Sequence, residues 1–283
     1  MADGAAITTL RASQPRQCEQ DPNAFHQMLA HWNRRRLALA TPTADWRTTE
    51  MEDTRMRVIE GAYIERERHA IAERALSAPT EAEEFAAWFE DLKTAGPGQG
   101  DAIFPWLAEE ATRDEMCWFL TQEIAGEAGF DDLVALTQVK LPTQAKLELA
   151  RNYWDEMGRG NPKGMHGPML GDLAHALKLE AAIENTVWQS LALANTMVAL
   201  AATRRYVYHS VGALGVIELT APGRAAQVAQ GLRRLGVSGR ARHYFDLHAV
   251  LDVKHSVAWN KEALIPLVAA EPRAARYIAE GAL

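Results

Sequence analysis

The sequence has little of what several large classes of protein require. Its 283 residues include two cysteines, Cys18 and Cys117, too few for a disulfide framework and in keeping with a reducing, cytoplasmic environment. There are 30 Lys and Arg against 37 Asp and Glu, so a basic face for nucleic acid is not expected. The most apolar run, residues 187–202, is too short and too polar to cross a bilayer. No signal-peptide pattern opens the chain, and the sequence predicts a cytoplasmic protein that binds neither nucleic acid nor a membrane.

Motifs for nucleophilic catalysis and for phosphate binding are also missing. There is no GxSxG, no Walker loop, and no GxGxxG between a strand and a helix. The Gly-rich segment of residues 96–100 contains Pro97 and follows a helical pattern, which does not suit a nucleotide-binding loop. Cys117 stands beside Trp118 and Phe119 in an apolar pattern, and we expect a buried structural thiol there.

What the sequence does have is helical periodicity along most of its length. It predicts an all-α bundle, with a disordered tail at residues 1–21, auxiliary helices at 22–101 and the main domain at 102–283. Residues 211–219 are rich in Gly and β-branched residues, and we expect them to form the irregular end of a helix rather than a lone strand.

Three potential metal ligands share one stripe of a predicted helix near the C-terminus. His248, Asp252 and His255 occupy positions i, i+4 and i+7, which places them within an arc of roughly 60°. Two imidazoles and a carboxylate suit iron or manganese. The alternative is that each is satisfied separately by solvent or by a hydrogen bond in the core.

Two further segments offer acidic and histidine side chains. Glu156 ends one predicted helix and His166 begins the next, and the Gly- and Pro-rich residues 158–164 could turn both toward one point. An ordinary helix end with an exposed histidine is the alternative. Glu123 and Glu127 lie on an otherwise apolar helix, where a carboxylate needs a partner such as a metal.

Together these residues resemble the haem-oxygenase-like diiron oxidases and oxygenases, also described as iron-containing redox enzymes. The family pattern is Glu, then Glu-x9-His, then His-x3-Asp-x2-His, and it is matched over roughly residues 105–283. The resemblance implies a haem-oxygenase-like bundle of about seven core helices, extended here by N-terminal helices. It also implies six iron ligands, with Glu123 preferred to Glu127 because the family's ligand lies several residues before the Phe130-Asp131-Asp132-Leu133 stretch. These ligands are Glu123, Glu156, His166, His248, Asp252 and His255.

The same resemblance implies the chemistry. Two Fe(II)/Fe(III) ions would use O2 as co-substrate, with an external electron donor possible, to oxidise a small molecule in a biosynthetic pathway. An amino acid or amine is the leading substrate, by N-oxygenation, desaturation or oxidative C–C cleavage, with no catalytic residue beyond the metal ligands. A fatty-acid-cleaving oxidase, a non-catalytic protein and a cofactor-free protein of the same fold are the alternatives. A homodimer is left open.

The sequence indicates substrate-binding residues less clearly than it indicates metal ligands. Two arginines beside two tyrosines could hold a carboxylate, because guanidinium groups match it in pairs of hydrogen bonds. Packing and surface charge are the favoured explanation for each of these residues. The candidates are Tyr153, Arg204, Arg205, Tyr206, Tyr208 and Glu218.

Overall fold

The computed structural model describes residues 21–126 and 129–283, and those residues fold into an all-α bundle. No β-strand occurs among them, and Met157 and Met165 form a single isolated bridge. This confirms the predicted fold class. Of the tail predicted at 1–21, only Asp21 lies within the described residues, where its carboxylate caps the first helix by accepting from the Ala24 N–H at 3.0 Å.

The helices run in chain order with short connections. Four 3-10 turns, at Gly158–Gly160, Pro162–Gly164, Ile183–Asn185 and Arg204–Tyr206, and one π-helical turn at Asn260–Leu264 join some of them. The α-helices are α1 (Pro22–Leu37), α2 (Trp46–Ala75), α3 (Ala82–Ala95), α4 (Ile103–Glu109), α5 (Arg113–Gly126), α6 (Phe130–Thr137), α7 (Thr143–Glu156), α8 (His166–Leu177), α9 (Trp188–Ala202), α10 (Val207–Arg234), α11 (His243–Trp259), α12 (Ile265–Ala270) and α13 (Ala274–Ala282).

Helix α10 lies at the centre of the bundle, between α11, α13 and α4. Residues 211–219 belong to its interior, so the predicted irregular helix end there is wrong. The glycines serve close packing instead: a Cβ on Gly212 would lie 1.9 Å from the Ile278 carbonyl oxygen, and one on Gly215 would meet the Trp259 indole. The break falls earlier, at the 3-10 turn Arg204–Tyr206.

The larger hydrophobic core joins the N-terminal helices to the C-terminal half of the chain. Phe85 and Phe89 of α3 are fully buried in one cluster with Leu214 of α10 and Trp259 of α11. The predicted boundary at residues 101/102 stays a prediction, and this cluster draws side chains from both sides of it.

A smaller cluster is centred on α4, α5 and α10, and it includes Leu107, Met116 and Leu232. Helix α5 turns Met116 into this cluster and leaves Trp118 57% exposed. Cys117 beside them is partly exposed, so its predicted full burial is wrong. No described helix is both long enough and apolar enough to cross a membrane.

Candidate metal centre

A cavity of about 250 Å³ opens between helices α5, α8, α9, α10 and α11. Its volume exceeds the roughly 150 Å³ that holds a benzene molecule, so it has room for a small organic substrate. Most of its lining is apolar, and carboxylates and imidazoles gather in one part of it. The apolar lining includes Phe104, Phe130, Leu170, Met197, Val228 and Phe245.

Helix α11 supplies three of the predicted ligands from one face. Asp252 and His255 are buried, and His248 is half-buried beside the cavity. The backbone carbonyl of Tyr244, one turn earlier, accepts a hydrogen bond from Nδ1 of His248 at 2.7 Å. That bond leaves Nε2 of His248 unprotonated, with its lone pair available to a metal.

The Gly- and Pro-rich segment after α7 brings Glu156 and His166 together. The bridge between Met157 and Met165 closes the segment on itself. Gly158 has φ +59°, and a Cβ there would lie 2.3 Å from the Gly164 backbone, so the turn depends on glycine. As a result Nδ1 of His166 lies 2.5 Å from Oε2 of Glu156, both side chains being buried.

The ligand atoms form two groups that share one carboxylate. Glu156, His166 and His248 make the first group, and Glu156, Glu218 and His255 make the second. Within each group the ligand atoms lie within 4.8 Å of one another. Asp252 lies next to the second group, with Oδ1 3.9 Å from Nδ1 of His255.

The imidazole of His255 is held on both sides. Its Nε2 lies 3.1 Å from Oδ2 of Asp155, which also accepts from Arg159. Its Nδ1 faces Glu218 Oε2 at 3.3 Å and the Asn152 side-chain amide at 3.2 Å. With Nε2–H donated to Asp155, Nδ1 is the nitrogen that faces Glu218, and it would serve as the ligand atom once a bound cation displaces its proton.

The donor set fits a cation better than it fits a closed hydrogen-bond network. Asp252 Oδ1 and His166 Nδ1 are buried without a hydrogen-bond partner. Burial, with the charges of Glu218 and Glu156, raises the pKa of Asp252 to about 9. Burial, with further effects of nearby charges, lowers the pKa of His166 and of His248 to about 4, so both imidazoles are neutral and able to bind a metal.

For His255 the balance goes the other way. Burial acts to lower its pKa, but hydrogen bonds and charges of Glu218, Asp155 and Asp252 outweigh burial and raise it to about 9. Asp252 and His255 therefore both hold a proton near neutral pH when no cation is bound. A divalent cation would release those protons, since it compensates the carboxylates directly.

Glu123 faces the same cavity from α5 but belongs to neither of the two groups. Burial raises the pKa of its carboxyl, while the positive charge of Arg224 acts in the opposite direction. The side chain remains accessible from the cavity. Glu127, the other candidate from this helix, lies outside the described residues.

Arg204, Arg205 and Tyr206 lie away from the cavity, around the turn that precedes α10. Arg204 donates to the backbone carbonyls of Leu136 and Thr137 at 3.3 and 3.2 Å. Arg205 and Tyr206 both donate to the Glu65 carboxylate. Packing and surface pairing therefore account for all three.

Tyr153 and Tyr208 pack against the larger core and do not line the cavity. Glu218 does line it, as a member of the second ligand group rather than a side chain at the substrate end. The signal for Glu218 was present in the sequence: a single carboxylate in the apolar run 211–219.

Comparison with known proteins agrees with this geometry. Residues 117–283, more than half of the chain, match the iron-containing redox enzyme family. The match takes in both ligand groups, Asp252 and Glu123. No curated protein shows a significant match. The chain belongs to the iron-containing redox enzyme family and is an iron-dependent oxidoreductase.

Proposed function

We propose that the protein is an O2-dependent non-haem diiron oxidase or oxygenase that acts on a small molecule, with an amino acid or amine as the leading substrate. The observation that supports two irons rather than one is the sharing of Glu156 between two adjacent ligand groups. A carboxylate has two oxygens and can bridge two cations, whereas one cation would leave part of this donor set unused.

In this proposal Glu156, His166 and His248 hold one iron, and Glu156, Glu218 and His255 hold the other. Asp252 lies beside His255, and we keep it as a ligand of the second iron. Glu123 faces the cavity and is kept as a further iron ligand. When bound, the irons would supply electrons and open coordination positions for the reduction of O2.

The protein's own residues orient the metal-binding side chains and keep water away from the substrate. The Tyr244 carbonyl and the Asp155 carboxylate fix the rings of His248 and His255, so that one lone pair of each faces the cluster. Asp252 holds a proton in the metal-free protein and gives it up to the solvent on metal binding. The apolar lining keeps bulk water from the substrate.

A cofactor-free protein of the same fold would need these side chains to satisfy one another. Asp252 Oδ1 and His166 Nδ1 make no hydrogen bond, although burying such atoms unpaired costs about 1–3 kcal/mol each. A metal offers both of them a partner. This favours an iron-binding protein over a cofactor-free protein of the same fold.

The test is an anaerobic Fe(II) titration with metal counting by mass spectrometry. We expect two irons per wild-type chain and one in Glu218→Gln, since Glu218 belongs to the second group alone. Glu148→Gln is the matched control, because Glu148 is a buried carboxylate of α7 outside both groups. A wild-type plateau at one iron or fewer contradicts the proposal.

Oxidase activity is tested separately. The Fe(II)-loaded protein is mixed with O2 in a stopped-flow spectrometer, alone and with amino acids, amines or fatty acids. We expect O2 uptake that a particular substrate accelerates. Bound iron without O2 uptake under any of these conditions would indicate a non-catalytic iron protein instead.

A further inference from the structure

The cavity contains a cationic side chain, Arg224, that is not among the candidate metal ligands. Arg224 lies on the face of α10 that also presents Ile217, Glu218 and Ala221 to the cavity. Its guanidinium folds back along the helix, donating to the Thr220 hydroxyl at 2.9 Å and to the Thr220 carbonyl at 3.4 Å. The charged group therefore lies near Thr220, in the same cavity that Glu218 lines.

Arg224 has no direct ionic partner among the described residues. None of their carboxylates lies within 4.0 Å of it, whereas the half-buried guanidinium groups of Arg36 and Arg68 each pair with a carboxylate. Burial lowers the pKa of Arg224, and the more distant charge of Glu123 opposes that effect. A guanidinium stays protonated in proteins, so a buried positive charge faces the cavity without close compensation.

The surroundings of Arg224 limit what can compensate it. Phe104 lies with its ring centre 5.9 Å from the guanidinium carbon, and Ala225 and Val228 continue the apolar wall along α10. The Thr220 hydroxyl already donates to the Val216 carbonyl at 2.7 Å. An anion that enters here therefore meets one cationic donor, and the rest of its molecule meets hydrocarbon. A carboxylate on an apolar chain or ring satisfies both parts of the cavity.

We propose that Arg224, positioned by Thr220, binds the carboxylate of a substrate that has an apolar body. This inference rests on the proposed function for what happens next, and it narrows the substrate to a carboxylic acid. A free amine without a carboxylate would leave Arg224 uncompensated, so an apolar amino acid or a fatty acid fits better than a simple amine.

Glu123 should weaken the binding of a carboxylate at Arg224. Its carboxylate acts electrostatically on Arg224 and repels a second anion in the same cavity. Neutralising Glu123, by a bound cation or by Glu123→Gln, removes that repulsion. We therefore expect Glu123→Gln to bind a carboxylate more tightly than the wild type in the metal-free protein.

The experiment compares hexanoate, hexylamine and 1-hexanol, which share one apolar chain and differ in the head group. Binding to the full chain is measured by titration calorimetry and ligand-observed NMR, both metal-free and loaded anaerobically with Fe(II). We expect hexanoate to bind best, and Arg224→Gln to weaken it by about tenfold or more, as for loss of a charge-assisted pair. Arg240→Gln is the matched control, because Arg240 is 90% exposed and remote from the cavity.

Circular dichroism and iron counting on each variant establish that it is folded and loaded. Equal hexanoate affinity in Arg224→Gln and the wild type overturns the inference, as does hexylamine binding that matches hexanoate or the absence of any hexanoate binding. Head-group selectivity in a protein that takes up no iron would support this inference while contradicting the proposed function. Two bound irons without head-group selectivity would support the proposed function and contradict this inference.

Discussion

Nδ1 of His166 lies 2.5 Å from Oε2 of Glu156, ten residues earlier in the chain, and this Nδ1 makes no hydrogen bond. This distance is shorter than an ordinary N–H···O hydrogen bond, so the chain holds the two side chains tightly together. The residues between them supply that constraint through the Met157–Met165 bridge and the turn at Gly158. The segment between the two ligands is thus the place where backbone changes should affect metal binding most.

Gly158→Ala should weaken iron binding markedly. Its φ of +59° disfavours a side chain, and the new Cβ would lie 2.3 Å from the Gly164 backbone, so the turn must open. We expect at least a tenfold loss of Fe(II) affinity, measured by competition with a chelator. Gly171→Ala in α8 is the control, because nothing lies within 4 Å of its Cβ. Equal losses in both variants would show that the turn has no special role.

The segment spanning residues 150–170 should become better ordered when iron binds. Its two 3-10 turns provide few backbone hydrogen bonds, and Arg159 adopts φ +54°, which is unfavourable for a residue with a side chain. Iron links Glu156 and His166 to the rest of the cluster, so part of its binding free energy orders the segment. Hydrogen exchange of this peptide, with and without Fe(II), should show increased protection. Strong protection in both states would reveal a preformed turn.

Asp155→Asn should lower iron affinity by about tenfold without changing the iron count, as outer partners of ligating histidines commonly do. Asp155 orients the ring of His255 from 3.1 Å without belonging to either ligand group. Chelator competition measures the affinity, and mass spectrometry measures the count. Asp172→Asn serves as control, since its side chain is 61% exposed on α8. An unchanged affinity would assign Asp155 only to its pairing with Arg159.

The metal-free protein should become less stable as the pH rises from about 6.5 to about 9. The pKa of Asp252 is raised from 3.8 to about 9, so over this window the folded state keeps a proton that the unfolded state has released. The free energy of unfolding therefore falls with rising pH. Below about pH 6.5 the lowered pKa values of His166 and His248 act in the opposite direction. Urea denaturation at pH 7, 8 and 9 should show a shallower fall for Asp252→Asn.

His255 also contributes to the pH dependence of stability in the metal-free protein. The raised pKa of His255 gives a dependence of the same sign between about 6.5 and 9, and we expect the variant to retain part of it. Asp172→Asn again supplies the control, with a slope equal to that of the wild type. An equally steep fall in Asp252→Asn and the wild type would contradict the raised pKa of Asp252.

Much of the fold and of the candidate site could be predicted because their signals are local. His248, Asp252 and His255 share a helix face by their spacing alone, and the structure places them beside Glu156 and His166. The all-α class likewise follows from periodicity within each segment. Such signals need no knowledge of how distant segments pack.

The remainder depended on contacts between distant segments. The glycines of residues 211–219 resemble a helix end locally, but they exist because α13 and Trp259 approach α10 closely. With that helix misread, Glu218 was predicted as a substrate contact, whereas the structure places it among the metal-ligand groups. Arg204 and Arg205 were attractive as a pair, yet their partners are backbone carbonyls and Glu65, which the sequence does not place near them.

The shared core has a practical consequence for expressing fragments of this protein. The family match begins at residue 117, whereas Phe89 of α3 packs against the part of α10 that carries Gly215, three residues before Glu218. A fragment trimmed to residues 117–283 would expose Leu214 and Trp259 to water and leave that part of α10 without support. Trimming to the recognisable family sequence would therefore yield an aggregating protein, while inclusion of residues 22–116 would keep the ligand helix in place.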